Sequence, residues 1–175
     1  KDKSKYKKTE VFIVADTEWK NVLSLVPVTT WTYGQPTYGD VDVRTYPTLI
    51  YHREDGAKFD ADSIIHFLQK YKPKRVTIVG KPPRELALLI ASYPSVEFGA
   101  GLRPNQVRVI RPKKLIKYWK KYKAVVYAND TYAESLIAAT YASLLNVPLI
   151  IKDSVLDKPA NLQNKRKICV GEPIP

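Results

Sequence analysis

Methionine is absent from this 175-residue chain, cysteine occurs once and histidine occurs twice. A single cysteine cannot form an internal disulfide, so the cysteine count does not indicate the compartment. Cys169 lies in an apolar run and is predicted to be a small buried hydrophobic residue. Neither His52 nor His66 has a cysteine or histidine at metal-ligand spacing beside it, so no metal site is predicted. The lack of methionine with abundant Lys, Tyr and Pro is typical of organisms that grow at high temperature.

Glycine-based motifs and long apolar runs are also missing. None of the seven glycines has the spacing of a dinucleotide-binding turn, a phosphate-binding loop or a hydrolase nucleophile elbow. Asp130 and Glu134 are interpreted as a helix cap and a solvated helix residue rather than as a catalytic carboxylate pair. No apolar run reaches bilayer length, and no signal-peptide pattern is present. The sequence therefore carries no recognisable catalytic or cofactor motif, and no cofactor is predicted.

Positive charge is the strongest feature that is present. The net charge is +12 and the pI is about 9.6. Such a charge favours an anionic partner, either nucleic acid, an acidic glycopolymer or a lipid surface, although an inert basic surface has the same composition. Basic residues concentrate between Arg108 and Lys123, where no acid occurs and aromatic residues are interleaved. The residues predicted to bind the anion are Arg108, Arg111, Lys113, Lys114 and Lys117. The alternative is the solvated face of an amphipathic helix whose Trp119 lies in the core.

Apolar runs alternate with helical patterns along the chain. Strands are predicted at Val11–Ala15, Thr48–Tyr51, Arg75–Val79, Val107–Ile110, Ala124–Ala128, Leu149–Ile151 and Lys167–Val170. Helices are predicted at Glu18–Leu25, from Asp60, from Pro82 to Ala91, at Pro112–Tyr122 and at Thr131–Leu145, and residues 27–45 are predicted to be a loop. Strands separated by such helices pair in parallel, which predicts a three-layer α/β sandwich with a mainly parallel sheet. A basic N-terminal segment, residues 1–10, is predicted to precede a single domain, residues 11–175.

Three sequence segments recur in the same order. VFIVADTEWKNVL from Val11 matches VVYANDTYAESLI from Val125, YPTLI from Tyr46 matches VPLII from Val147, and KRVTIVGKP from Lys74 matches KRKICVGEP from Lys165. The order predicts an internal duplication, with one copy at about 11–83, a connecting unit at about 84–123 and a second copy at about 124–175. Asp16-Thr17 then corresponds to Asp130-Thr131. All four residues are predicted to lie at equivalent strand-to-helix turns, where they cap helices and are candidate binding residues.

The second copy resembles the cell wall-binding repeat of type 2. Three segments carry the resemblance: Ala128–Leu136 contains a small polar turn and the start of a helix, Leu145–Ile151 contains a strand preceded by proline, and Ile168–Gly171 ends in a Val-Gly pair. Glu134 stands where the family has an aspartate. The resemblance implies a Rossmann-like or flavodoxin-like fold, no catalysis, and a place outside the cell or in its envelope. It also implies binding to an anionic wall polysaccharide or assembly with other envelope proteins, including copies of itself. The alternative is a cytoplasmic module that binds nucleotides or nucleic acid.

The residues of the hydrophobic core can be predicted from the expected parallel sheet. Val126, Leu136, Ala139 and Ile150 are predicted to be almost fully buried, because helices cover both sides of such a sheet.

Overall fold

A computed structural model describes residues 10–33, 42–52, 61–92 and 107–171. The strands are Glu10–Ala15 (β1), Thr30–Tyr33 (β2), Asp42–Thr45 (β3), Thr48–Tyr51 (β4), Arg75–Val79 (β5), Val107–Ile110 (β6), Ala124–Ala128 (β7), Leu149–Ile151 (β8) and Arg166–Val170 (β9). The helices are Trp19–Thr29 (α1), Ala61–Tyr71 (α2), Arg84–Ser92 (α3), Tyr132–Leu145 (α4), Pro159–Leu162 (α5) and a 3₁₀ helix at Pro112–Tyr118. The predicted fold class is confirmed: the protein is a Rossmann-like α/β fold with two sheets whose strand pairs are all parallel.

The described residues divide into two compact units. Residues 10–18, 46–52, 61–92 and 107–111 form the first unit, and residues 19–33, 42–45 and 112–171 form the second. The chain therefore leaves the first unit after β1, builds α1 and the β2–β3 hairpin in the second, and returns for β4. The single domain over residues 11–175 stays a prediction.

The first unit contains a parallel sheet with the strand order β4-β1-β5-β6. Successive side chains of a strand point to opposite faces, and one face of β1 places Val11 and Ile13 against α2 and α3. Phe12 and Val14, on the other face, are also fully buried. A continuous apolar run such as that of β1 is typical of a parallel strand covered on both faces.

The second unit contains a parallel sheet with the strand order β8-β7-β9 and the separate antiparallel β2–β3 hairpin. Helices α1 and α4 pack on the sheet, where Leu23 joins Val126, Ala139 and Leu149 in one core. Helix α4 ends at Asn146, which adopts the left-handed conformation and donates its N–H to carbonyls of the last turn. No helix of the described segments is long and apolar enough to span a bilayer.

The two sheets share strand order and register around β1 and β7. Strand β1 lies between β4 and β5, and strand β7 lies between β8 and β9. The paired residues also correspond. Phe12 pairs with Thr48 as Val126 pairs with Leu149, and Glu10 pairs with Arg75 as Ala124 pairs with Arg166. Gly80 and Gly171, which follow β5 and β9, have φ angles of 104° and 102°. A side chain disfavours this conformation, so glycine is required at both strand ends.

The sheets differ at the outer edge of β5 and β9. In the first unit β6 pairs with β5, and the Gly80 N–H donates to the Ile110 carbonyl oxygen at 3.0 Å. In the part of the second unit that the structure describes, β9 pairs only with β7. The second sheet therefore has an open parallel edge where the first has a fourth strand.

Two predicted secondary-structure elements are wrong in extent. Residues 27–33 and 42–45 of the predicted loop form the end of α1 and the β2–β3 hairpin, while residues 34–41 lie outside the described residues. Pro27 lies inside α1, whose last turns persist because Leu25 and Val28 are buried. The predicted basic helix ends at Tyr118 and is a 3₁₀ helix. The predicted helix start at Asp60 lies outside the described residues.

The burial predictions succeed on the sheet and fail on one helix face. Val126, Ala139 and Ile150 are buried as predicted, but Leu136 is 47% exposed. Cys169 was predicted to be buried and is exposed, because alternate residues of the edge strand β9 face solvent. Cys169 and Leu136 are both apolar neighbours of less exposed residues in sequence. They are exposed because one lies on an edge strand and the other on the outward side of a helix.

Candidate functional site

The lysines of the 3₁₀ helix point away from the core of the second unit. Residues three apart eclipse one another in such a helix, so Lys114 and Lys117 share one row while the row of Leu115 faces inward. Leu115 is fully buried, whereas Lys113, Lys114 and Lys117 are exposed. The exposed lysines continue beyond the helix at positions 120, 121 and 123. We call residues 112–123 the basic segment.

Aromatic side chains tie the basic segment to the rest of the second unit. The Trp119 indole N–H donates to the backbone carbonyl oxygen of Asn146 at 3.1 Å and to its side-chain oxygen at 3.3 Å. The Tyr122 hydroxyl donates to the Asn161 carbonyl oxygen at 3.4 Å. The Lys165 ammonium lies 4.2 Å from the centroid of the Tyr122 ring and donates to the Tyr122 carbonyl oxygen. Burial raises the pKa of Tyr122 above its ordinary value. These contacts hold the segment in place while its lysines face outward.

The two predicted arginines lie in the first unit and differ in environment. Arg108, on β6, donates from Nη2 to Glu10 Oε1 at 3.1 Å and from Nε to the Thr77 hydroxyl at 3.0 Å. Thr77 donates in turn to the same Glu10 oxygen at 2.5 Å. Glu10 and Thr77 are buried, so Arg108 neutralises a buried carboxylate. Arg111 follows β6 and is exposed. The predicted basic set is thus divided between the units, and only its three lysines share one helix.

Asp16 and Thr17 follow β1 at the carboxyl end of the first sheet. The Asp16 carboxylate lies 2.6 Å from Nδ1 of His52, which follows the neighbouring strand β4. The Asp16 backbone N–H donates to the Tyr51 carbonyl oxygen at 3.0 Å, and Thr17 is exposed. The turn therefore brings together an acid and an imidazole that the sequence analysis did not connect.

Asp130 and Thr131 occupy the corresponding turn after β7. Asp130 accepts a charged hydrogen bond from Lys20 of α1 at 2.8 Å. Thr131 is the N-cap residue of α4, but its side chain makes no capping bond, so the predicted side-chain cap is wrong. Backbone contacts close the first turn instead: the Ser135 N–H donates to the Thr131 carbonyl oxygen, and the Ser135 hydroxyl donates to that of Asn129.

Glu134, in the first turn of α4, packs against Gly171. A Cβ atom added at Gly171 would clash with the Glu134 carboxylate, so glycine is needed there for space as well as for its φ angle. Oε2 of Glu134 is buried and has no hydrogen-bond partner. The prediction of a solvated Glu134 is therefore wrong for this oxygen of the half-buried side chain. The recurrence of glycine at positions 80 and 171 in the matched segments was the sequence signal that no side chain fits at this strand end.

The two turns have the position, but not the composition, of typical ligand sites. Open α/β sheets bind ligands beyond the carboxyl ends of their strands, where Asp16 and Asp130 lie. Each aspartate is matched by a basic side chain, His52 or Lys20. Over the described ranges, no cluster of three His, Cys, Asp or Glu side chains could hold a metal ion. The basic segment, by contrast, presents exposed charge of one sign.

An apolar helix face was missed by the sequence analysis. Leu136, Ile137, Tyr141 and Leu145 of α4 are all about half exposed. The signal was available, since the helix is apolar on every side and only one side can face the sheet.

The comparisons with known proteins add no functional information. No family model matches the chain, and a search of curated proteins finds no match. The resemblance to the cell wall-binding repeat stays a prediction.

Proposed function

We propose that this chain is a non-catalytic domain of the cell envelope that binds an anionic wall polysaccharide through the basic segment. The observation that carries the proposal is the row of exposed lysines at positions 113, 114, 117, 120, 121 and 123, on a segment anchored by Leu115, Trp119 and Tyr122. A held segment presents its charges without a large ordering cost, which favours repeated weak contacts along a polymer.

The aromatic contacts favour an acidic polysaccharide over single-stranded nucleic acid. Proteins that bind single strands stack bases on free aromatic faces. In the basic segment the Trp119 N–H is bonded to Asn146, and the Lys165 ammonium lies on the Tyr122 ring. Lysine is a point charge that pairs with carboxylate or phosphate without requiring a planar partner. The segment therefore offers anion binding, and one face of its Tyr122 ring is already occupied by Lys165.

The shared registers support an internal duplication, which is part of the same proposal. The three sequence matches align β1 with β7, β4 with β8 and β5 with β9, and each alignment preserves the observed strand pairs. Chance similarity among short apolar strands would not preserve register, because a one-residue slip exchanges the two faces of a strand. Duplicated units of this kind are what the resemblance to the cell wall-binding repeat implies.

Charge reversal of Lys113, Lys114 and Lys117 to Glu tests the proposed surface. We expect retention on an acidic polysaccharide to fall by about tenfold or more at low salt, since each lost contact removes a counterion-release contribution. The wild-type protein should itself lose retention as salt rises. Single-stranded DNA serves as the competing ligand, and stronger retention on DNA would favour the nucleic-acid alternative.

The matched control reverses three exposed lysines elsewhere, Lys74, Lys152 and Lys158. Both triple variants lower the net charge by the same amount, so they differ only in where on the protein the three charges are reversed. Circular dichroism and thermal melts establish that both variants are folded. Equal loss of retention in both would show that net charge, not the basic segment, governs binding.

A further inference from the structure

Helix α4 has its small residues inside and its large apolar residues outside. Its buried side chains are Ser135, Ala138, Ala139, Ala142 and Ser143. These small residues let the helix approach the sheet closely, whereas large side chains normally fill such a layer. The opposite side carries Ile137, Tyr141, Leu144 and Leu145, at 55%, 51%, 56% and 49% exposure, which we call the outer face. The helix therefore has one apolar side packed on the sheet and a second apolar side exposed to solvent.

The outer face is large enough to form the centre of a protein interface. A large side chain has roughly 150–250 Å² of surface, so the half-exposed residues leave on the order of 400 Å² of apolar area. The largest apolar patch of an ordinary monomer is about 300–600 Å² and is often functional. One partner in a standard interface contributes about 800 Å², so the outer face supplies roughly half of that area.

The outer face carries no charged side chain, and the hydroxyl of the neighbouring Thr140 is hydrogen-bonded within the helix. The only charged residue of α4 is Glu134, which lies in the first turn against Gly171. The Thr140 hydroxyl donates to the Leu136 carbonyl oxygen of the same helix. Anionic lipid surfaces attract interfacial helices through lysine and arginine, and α4 has neither. A neutral apolar surface is therefore the best match.

We propose that the outer face of α4 binds the same face of a second copy of this chain. Ile137, Tyr141 and Leu145 recur at intervals of four and form one stripe. A two-fold axis at Tyr141 places Ile137 of one copy beside Leu145 of the other, so the stripe complements itself as an isologous interface requires. Pairing through this face brings no lysine or arginine of α4 into the interface, because the helix contains neither. Within the second unit α4 already packs against another helix, α1, where Trp19 and Tyr132 meet edge to face at 5.7 Å. This inference does not depend on the proposed polysaccharide binding.

The first test is the concentration dependence of mass by sedimentation velocity with the full chain. We expect a reversible monomer–dimer equilibrium in the wild type. Ile137→Glu buries an unpaired carboxylate on each side of the axis and should weaken dimerisation by about 100-fold or more. Leu88→Glu is the matched control, because Leu88 is exposed to 58% on α3. It should leave the dimer dissociation constant unchanged.

Cross-linking tests the geometry independently of mutant stability. In a Cys169→Ser background, Tyr141→Cys should form a covalent dimer with a short bismaleimide, since the axis brings the two thiols together. Leu88→Cys in the same background should still dimerise but should give no covalent dimer, because Leu88 lies on α3 and outside the proposed interface. Tyr141→Cys also keeps the fold intact by replacing an exposed side chain.

Several results would overturn the proposal. A wild type that stays monomeric up to its solubility limit would show that copies do not pair. An unchanged dimer in Ile137→Glu, or equal loss in Leu88→Glu, would place the interface elsewhere. Flotation of the wild-type monomer, but not of Ile137→Glu, with phosphatidylglycerol vesicles would make a membrane the occupant instead.

Discussion

Tyr127 is a buried ionisable side chain of the second unit. It lies buried on β7, and its hydroxyl donates to Asp157 Oδ2 at 2.8 Å. Asp157 also accepts the Asp153 N–H at 3.0 Å, which orients the carboxylate. Burial, followed by the hydrogen bond to Asp157 and nearby negative charge, raises the pKa of Tyr127 to about 12. The Lys167 ammonium lies 4.6 Å from the centroid of the Tyr127 ring and covers it.

This pKa makes stability fall at high pH. The raised pKa means that the folded chain holds the phenol proton more tightly than the unfolded chain, whose tyrosine pKa is about 10. The stabilisation is complete below about pH 10 and is lost as pH rises toward about 12, by up to roughly 2–3 kcal/mol. We expect urea unfolding to show this loss in the wild type and a smaller one in Tyr127→Phe. Tyr132→Phe, at an exposed position, is the control and should follow the wild type.

Leu136 and Ala139 show why apolar character alone does not predict burial. Both belong to the most apolar helix, yet Ala139 is buried and Leu136 is exposed. A sequence in which every side of a helix is apolar gives no periodic signal for the inward side. The small residues of α4 were the better indicator, because they permit close packing against the sheet.

At the level of elements, the strands were predictable and the irregular connections were not. The boundaries of β4 and β7 match the sequence prediction because short apolar runs in parallel sheets are bounded by turn residues. The β2–β3 hairpin was missed because its Thr- and Tyr-rich strands resemble a polar loop, although these residues favour strands. The basic segment was predicted as an α-helix, since an i, i+3 pattern fits both helix types. The contacts of Asp16 with His52 and of Asp130 with Lys20 join distant segments, which sequence spacing does not reveal.

The open edge of β9 should be detectable by amide hydrogen exchange. The Arg166 N–H donates to the Lys123 carbonyl oxygen, so by alternation the amides of Lys167 and Cys169 point away from β7. The equivalent amides of β5, those of Val76 and Ile78, point toward β6. We expect the two β9 amides to exchange at least about 100-fold faster than the two β5 amides.

The amide of Ile168 is the internal control for that measurement. It points toward β7 and should be protected, which separates an open edge from fraying of the whole strand. Protection of Lys167 and Cys169 equal to that of Val76 and Ile78 would show that the edge is covered by another strand.

At the scale of the whole molecule, two proposed surfaces respond to charge in opposite ways. The basic segment concentrates positive charge, whereas the outer face of α4 has none. A chain of net charge +12 repels its own copies at low ionic strength. Polymer binding gains from the same charge, because cations on the protein replace counterions on the polymer.

Added salt should therefore strengthen dimerisation while it weakens polymer binding. At about 0.1 M salt, charges are screened beyond roughly 10 Å, which reduces repulsion between copies but leaves apolar contacts intact. Between about 0.02 and about 0.5 M salt we expect the dimer dissociation constant to fall several-fold and polymer retention to fall at least about tenfold. Sedimentation velocity and retention in the same buffers measure both. The Lys113, Lys114 and Lys117 charge-reversal variant, in which each change lowers the net charge by two, should dimerise more strongly than the wild type at low salt. If salt instead dissociates the dimer, ion pairs hold the two copies together, and the uncharged face of α4 is not their interface.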